Sequence, residues 1–459
     1  MNFVSTFLLL ANLPFLTIAQ QAGNQSTENA PKLSWQKCTR GGCKTVRGEL
    51  TADESARWLH NVNGTTSCKG VTGWNSTFCP DPVTCAKNCA LEGIANYSAN
   101  GVTTNGSALS MRLKNPNGYG PPRLYLKPTG KNKYEHFHLL NKEFTFDVDM
   151  SRLPCGTNGA LYFAEMDEDG GMAKYPGNKA GARYGTGYCD AQCPSGPSFI
   201  QGEATVPEGN ATVTKYGACC NEMDIWEGNK ISTGFTPHPC NKPNVYRCEG
   251  KDDCGGICDK GGCDNNPYRN GNPNFYGPGT NKTLDTNQKM TVVTQFFTGK
   301  NKPFGELVEI RRLYIQKGKI FKHASTKVAN MTGFASTSDR YCSAKNNAFS
   351  EGKDQFASYG GLKTMGESLA RGVVLIFSLW TDSSETAMQW LDGSRYPATA
   401  ALGTPGSARG TCNGNSSSPA YIAANSPDAA IVFSNVKFGE IGSTFKLGGK
   451  SCRRRKVRV

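Results

Sequence analysis

The sequence predicts an all-β protein, a sandwich of two large antiparallel sheets with long loops and few short helices. Three observations carry that prediction. Short apolar runs alternate with polar residues at the period of two that a half-buried strand requires. Fifty-three glycines and many turn dipeptides separate these runs. One segment alone shows a clear helical apolar face.

Taken in chain order, MNFVSTFLLLANLPFLTIAQQ is an apolar run followed by Thr17, Ile18 and Ala19, the small-x-small pattern of a secretory cleavage site. Residues 1–19 are therefore expected to be a signal peptide, with Gln20 as the mature start, although no Lys or Arg precedes the apolar run. In EFTFDVDM, Phe144, Phe146, Val148 and Met150 alternate with Thr145, Asp147 and Asp149. The runs Thr291 to Phe297, Leu307 to Phe321, Val373 to Trp380 and Ile431 to Phe438 read as strands in the same way. The helix is GLKTMGESLARG, where Leu362, Met365 and Leu369 share a face. No linker, repeat or abrupt composition shift divides the chain, so residues 20–445 read as a single domain and 446–459 as a basic tail. No later apolar stretch approaches the roughly 20 residues of a bilayer span.

The formal charge is +14. Much of it sits in the tail, on Lys450, Arg453, Arg454, Arg455, Lys456 and Arg458. A nucleic-acid partner would want a basic stripe with interleaved aromatics on a folded face. None is visible, so a solvated tail and a basic surface are expected, with no nucleic-acid and no membrane partner. Nineteen cysteines and Asn-x-Ser/Thr sites such as Asn63, Asn96 and Asn281 agree with an extracellular product. The cysteine count is odd, and Cys452, alone in the tail, is the natural one to be left over. Zinc at the clustered Cys248, Cys254, Cys258 and Cys263 is disfavoured by an oxidising compartment. No metal and no cofactor is expected.

The chemistry concentrates in CCNEMDIWEGNK, Cys219 to Lys230. On a strand, Glu222 and Asp224 project side by side while Met223 and Ile225 face the core. Glu227 lies roughly 16 Å from Glu222 along an extended chain, with the wrong parity. Both glutamates can serve one bond only if the strand bulges or bends near Trp226 or Glu227. Crowding the three carboxylates raises at least one pKa. Two carboxyls flanking a glycosidic bond, one a nucleophile and one a raised-pKa acid, are what sugar hydrolysis needs. Trp226 offers a flat ring on which a sugar could stack. Calcium ligation or a solvated acidic turn is the bland alternative, disfavoured because calcium ligands rarely alternate with Met, Ile and Trp.

CCNEMDIWEGN resembles the active-site signature of glycoside hydrolase family 7, the fungal cellobiohydrolases and endo-β-1,4-glucanases. The resemblance runs from about Leu33 to Thr444 and includes CPDPVTCAKNC, FDVDMSRLPCGTNGALYF, KYPGNKAGARYGTGYCDAQC, TPHPC, FYGPG and FSNVKFGEIGST. It implies a concanavalin-like β-jelly-roll whose concave face carries a glucan cleft. By the same resemblance Glu222 is the nucleophile, Asp224 its hydrogen-bonded helper and Glu227 the acid/base, with His238 near the leaving-group side. Trp58, Trp380 and Trp390 match sugar-stacking tryptophans, although core packing is their default. Asn158, Tyr162, Tyr188, Asp190, Gln192 and Arg409 match polar cleft positions.

The resemblance also implies the disulfides: Cys38 with Cys43, Cys68 with Cys89, Cys79 with Cys85, Cys155 with Cys412, Cys189 with Cys220, Cys193 with Cys219, Cys240 with Cys258, Cys248 with Cys254, and Cys263 with Cys342. One further family disulfide is missing at both ends, since Ala90 follows Cys89 and no cysteine precedes Cys38. The short CGGICDKGGC stretch and the GELVEIRRLYIQKGK hairpin favour an open-cleft endoglucanase, acting on β-1,4-glucan as a monomer without a cellulose-binding module. The segment Ser394 to Cys412 is more like cellobiohydrolases, and Phe321 to Gly360 is long enough to cover part of the cleft. A reducing-end cellobiohydrolase is thus the close alternative, and a catalytically idle glucan-binding lectin the remote one.

Overall fold

The computed structural model describes residues 20–445, apart from 71–72, 210, 303–304 and 385–387. The leader and the basic tail with Cys452 lie outside the described residues.

Twelve strands build the frame: β1 (Lys32–Thr39), β2 (Gly42–Ala52), β3 (Leu124–Pro128), β4 (Lys142–Asp149), β5 (Thr157–Ala164), β6 (Glu222–Gly228), β7 (Thr233–His238), β8 (Met290–Thr298), β9 (Leu307–Gln316), β10 (Lys319–Lys322), β11 (Val373–Thr381) and β12 (Ala430–Glu440). Their hydrogen-bonded order is β7, β6, β5, β11, β3, β2, β1, β12, β4, β8, β9, β10. Neighbours along this path run antiparallel, with the exception of the parallel β1–β12 pair.

The path folds back on itself to make two layers. Phe144 of β4 meets Phe163 of β5 edge-on at 5.0 Å, and Phe377 of β11 lies 5.6 Å from Phe433 of β12, although neither pair of strands is adjacent in the ladder. The sandwich is as expected, but its layers share one continuous ladder instead of forming two separate sheets. The parallel β1–β12 pair joins strands from near opposite ends of the described chain. Period-two alternation reports which face a residue takes and is blind to strand direction, so this pair left no mark on the sequence.

β4 shows the alternation at work: Phe144, Phe146 and Val148 are fully buried in the core. Its polar face is covered as well, because the Glu143 carboxylate accepts the Thr444 N–H at 2.8 Å and the Thr145 and Thr444 hydroxyls meet at 2.6 Å. β9 and β10 form a hairpin whose turn is Lys317-Gly318, at φ 50° and 71°. Two positive φ values are what a tight turn matched to strand twist demands.

The read helix is present as α2 (Gly361–Arg371), with Leu362, Met365 and Leu369 buried. α1 (Asp339–Ala348) was not legible, since DRYCSAKNNA has no apolar stripe. Its start is fixed by the Ser338 hydroxyl accepting from Tyr341 N–H at 3.2 Å. Among the described residues no helix is long and apolar enough to cross a membrane.

Nine disulfides staple the frame, and they are the nine pairs the resemblance implies. Cys248, Cys254, Cys258 and Cys263 are all consumed in disulfides, so no zinc cage exists there. Where the family disulfide is missing, hydrogen bonds hold the N-terminal segment. Gln21 and Ala22 pair with Ala90 and Leu91, and the Glu92 carboxylate accepts from the Gln25 and Ser26 amides.

Candidate active site

Cys189–Cys220 and Cys193–Cys219 tie the approach to β6 to the 189–193 segment. Asn221, the next residue, is pinned on both sides: its amide donates to Glu165 at 2.8 Å, and its oxygen accepts from Cys240 N–H at 2.7 Å. β6 therefore begins from a fixed point.

The strand then bulges. Along β5, Tyr162 faces Asp224 but Leu161 faces Trp226; along β7, Thr236 faces Asp224 but Gly234 faces Glu227. Ile225 has no register partner on either side. The extra residue resets the parity, so Glu222, Asp224 and Glu227 all open onto one cleft of about 1120 Å³ while Met223 and Ile225 stay in the core. The bulge expected near Trp226 is there.

Each carboxyl has specific partners. Glu222 Oε2 accepts the Ala191 N–H at 2.9 Å. Asp224 hydrogen-bonds to Glu222 and lies 3.0 Å from His238 Nε2. His238 Nδ1 donates to the Asp259 carbonyl at 2.8 Å, which leaves Nε2 for Asp224. Gly262 makes room for that ring: at φ +62° it carries no Cβ, and one would sit 2.6 Å from His238 Nδ1. Asn158 Nδ2 donates to Glu227 Oε1 at 2.8 Å.

Burial is the largest cause that lifts all three carboxyls above their ordinary range. For Glu222 the charges of Asp224 and Asp190 add to it, and for Asp224 that of Glu227; the Asn158 hydrogen bond works the other way on Glu227. Repulsion is thus real, but dehydration leads. A site so built biases all three acids toward their protonated forms.

Tyr162, Tyr188, Asp190, Gln192, Trp380, Trp390 and Arg409 line the same cleft. Tyr162 and Tyr188 share a hydroxyl hydrogen bond of 2.9 Å, and Tyr188 donates to Asp190 at 2.6 Å. The Trp380 and Trp390 rings are near-parallel at 6.3 Å.

Three candidates fall elsewhere. Asn158 is fully buried and reaches the cleft only through Glu227. Trp58 is exposed, its ring tilted against His60 at 4.4 Å, and it stands outside the cleft lining. Trp226 is no sugar platform: it is fully buried, between Phe146 at 6.1 Å and Tyr276 at 6.0 Å. The bulge that returns Glu227 to the cleft leaves the ring on the core side.

Sequence reasoning missed a charged group at one flank of the cleft. Asp264 bonds Arg269 and, at 2.8 Å, Lys345, which also meets Glu351 at 2.9 Å. Asp264 and Lys345 are 81 residues apart, so no local motif announces the cluster. Arg409 joins through Asp264 at 3.9 Å, and burial, with Arg269 beside it, lowers its pKa to about 10.

A cleft with paired carboxyls on one bulged strand and stacked indoles on its wall, set in a β-sandwich, is the equipment of a glycosidase. The family model of glycosyl hydrolase family 7 matches residues 22–445, and the chain belongs to that family. A cellobiohydrolase of the family from Daphnia pulex is 41% identical with a TM-score of 0.87, covering 93% of this chain and 100% of that one. The endocellulase EGI of Humicola insolens is 38% identical, with a TM-score of 0.81 and coverages of 93% and 100%. A Melanocarpus albomyces cellobiohydrolase complexed with cellotetraose is 39% identical, with a TM-score of 0.84 and the same coverages. The fold is the β-jelly-roll sandwich of these neighbours, and the chain is a glycoside hydrolase of a cellulase family.

Proposed function

We propose that the protein is a secreted, retaining endo-β-1,4-glucanase that cleaves internal bonds of cellulose and related β-glucans. The bulge at Ile225 carries the reading, because it turns Glu222 and Glu227 toward one cleft. Glu222, as carboxylate, attacks the anomeric carbon, and the Ala191 N–H steadies its charge. Glu227, kept protonated by burial, protonates the leaving oxygen, then takes a proton from the water that hydrolyses the glycosyl ester. Asp224 holds a proton between Glu222 and His238, leaving Glu222 free to act as nucleophile. Trp380 and Trp390 supply sugar-stacking faces, and Tyr188, Asp190, Gln192 and Arg409 supply polar contacts. The chemistry calls on no cofactor.

Open-cleft action is supported by how the Cys254–Cys263 stretch is used. Cys258 is bonded to Cys240, Asp259 supports His238, and Gly262 packs on the same ring, so the segment forms wall rather than lid. The second reading is a reducing-end cellobiohydrolase. It is favoured by Tyr396, Lys345 and Glu351, which line the cleft along one flank with Arg409, and by the two neighbours of that name. Secretion is supported by the apolar leader and the disulfides. The decisive experiment compares viscosity loss of carboxymethyl cellulose with reducing ends released, for wild type and Glu222→Gln. A steep early viscosity drop that the variant abolishes is expected; reducing ends with little viscosity loss would move the assignment to the exo reading.

A further inference from the structure

Behind the bulge lies a buried arginine that the chemistry above does not use. Arg312, on β9 in the opposite layer, is 1% exposed. Its Nη2 donates to the carbonyl of Ile225, the residue that has no register partner on β5 or β7. The guanidinium carbon sits 4.4 Å over the ring of Phe235, the β7 residue facing the bulge. Nε and Nη1 make no well-formed hydrogen bond among the described residues, and the polar side chain beside the guanidinium is the neutral Tyr314 hydroxyl rather than a carboxylate. His323 packs edge-on against Phe235 at 5.3 Å and stays neutral, its pKa pushed down to about 3 by burial, with the Arg312 charge adding to it.

A buried guanidinium with unpaired N–H groups is costly, and replacing such a group by an apolar one of similar volume is often stabilising. Its location offers the compensation. A bulge frees a carbonyl from the ladder, and inside a core that carbonyl needs a donor. Arg312 supplies the donor and fixes the underside of the bulge through Phe235.

We infer that Arg312 is a positioning residue for the acid/base: it holds the Ile225 bulge that aims Glu227 into the cleft. Glu227 is two residues beyond Ile225, so a bulge that relaxes rotates its side chain away from the leaving oxygen. The inference rests on the glycosidase reading.

The test is leaving-group dependence. An acid matters for a poor leaving group and hardly for one that departs as a stable anion. Arg312→Met is expected to fold with an unchanged or higher Tm, while kcat/KM on cellotetraose falls by about tenfold or more and that on 2,4-dinitrophenyl cellobioside by less than about twofold. Arg312→Lys, which keeps a donor for the carbonyl, is expected to recover part of the cellotetraose loss. Equal losses on both substrates, or no loss on either, overturn the inference; if Arg312→Met does not fold, the same ratio for Arg312→Lys decides. A wild type inactive on both substrates sinks the glycosidase reading itself, whereas an active wild type matched by Arg312→Met sinks the inference alone.

Discussion

Asn158 grips Glu227 from the neighbouring strand: its amide nitrogen donates to the carboxylate at 2.8 Å, and its amide oxygen accepts the Gly228 N–H at 3.1 Å. One side chain thus fixes both the carboxyl proposed as the acid and the backbone just past it. The bond opposes the upward push of burial on the Glu227 pKa. Asn158→Ala removes the opposition, so the Glu227 pKa rises and the alkaline limb of kcat/KM, where the acid is lost, moves to higher pH. The maximum is expected to fall by about tenfold because the carboxyl is no longer oriented. An alkaline limb that stays put or moves down would contradict this.

His238 acts on the other limb. Its charge lowers the Glu222 pKa, against burial and the neighbouring Asp224 and Asp190. With His238→Ala that help is gone, and the pKa of Glu222 rises further. A nucleophile must be deprotonated, so the acidic limb of kcat/KM is expected to move up, with activity lost first at low pH. Comparing the two variants separates the carboxyls: Asn158→Ala shifts the alkaline limb alone, whereas His238→Ala shifts both, because His238 also lowers the Glu227 pKa. An acidic limb that moves in Asn158→Ala, or one that stays put in His238→Ala, would show that the roles of Glu222 and Glu227 are misassigned.

Glu54 gives the fold a pH dependence independent of catalysis. It is buried, its Oε2 has no partner, and its pKa is pushed up to about 8 by burial, with Asp53 adding to it. Its folded pKa lies above the unfolded value near 4.3. The favoured form is therefore the protonated one, whose contribution is complete below the unfolded pKa and is lost as pH rises toward 8. Wild type is expected to lose melting temperature across that window. Glu54→Gln, which cannot ionise and keeps an oxygen for the Ser198 and Phe199 amides, flattens the profile. Thermal melts from pH 4 to 9 check it, and parallel slopes for the two proteins would refute it.

What could be read from the chain and what could not divide along a physical line. Alternation at period two located β4, β8, β9 and β12, and a continuous apolar run located β11, which is buried from Val373 to Leu379, because packing a layer imposes a local rule on successive residues. The clash of parity between Glu222 and Glu227 required a bulge, and the register breaks at Ile225. Local rules ended there. Nothing around Arg312 signals a buried cation, since its acceptor on Ile225 is 87 residues away. The Asp264–Lys345 pair spans 81 residues, and the parallel β1–β12 pair joins segments about four hundred residues apart, Gln36 with Lys437. The Trp226 ring was misread for the same reason: the flip that moved Glu227 outward changed what its neighbour faced.

Three tryptophans now separate into two expected behaviours. Trp380 is 38% exposed and stacks with Trp390 on the cleft wall, so either can meet a sugar. Trp380→Ala and Trp390→Ala are each expected to raise KM for cellotetraose by about tenfold, equivalent to about 1.4 kcal/mol of lost contact. Their melting temperatures should change little, since neither ring lies in the core. Trp226 is enclosed by Phe146 and Tyr276, and emptying its place leaves a cavity. Trp226→Ala is therefore expected to cost about 3–5 kcal/mol of stability, read as a lower denaturation midpoint. Its more conservative partner, Trp226→Phe, should retain the wild-type KM, because the ring never touches substrate. A raised KM in a folded Trp226→Phe enzyme would return this residue to the cleft.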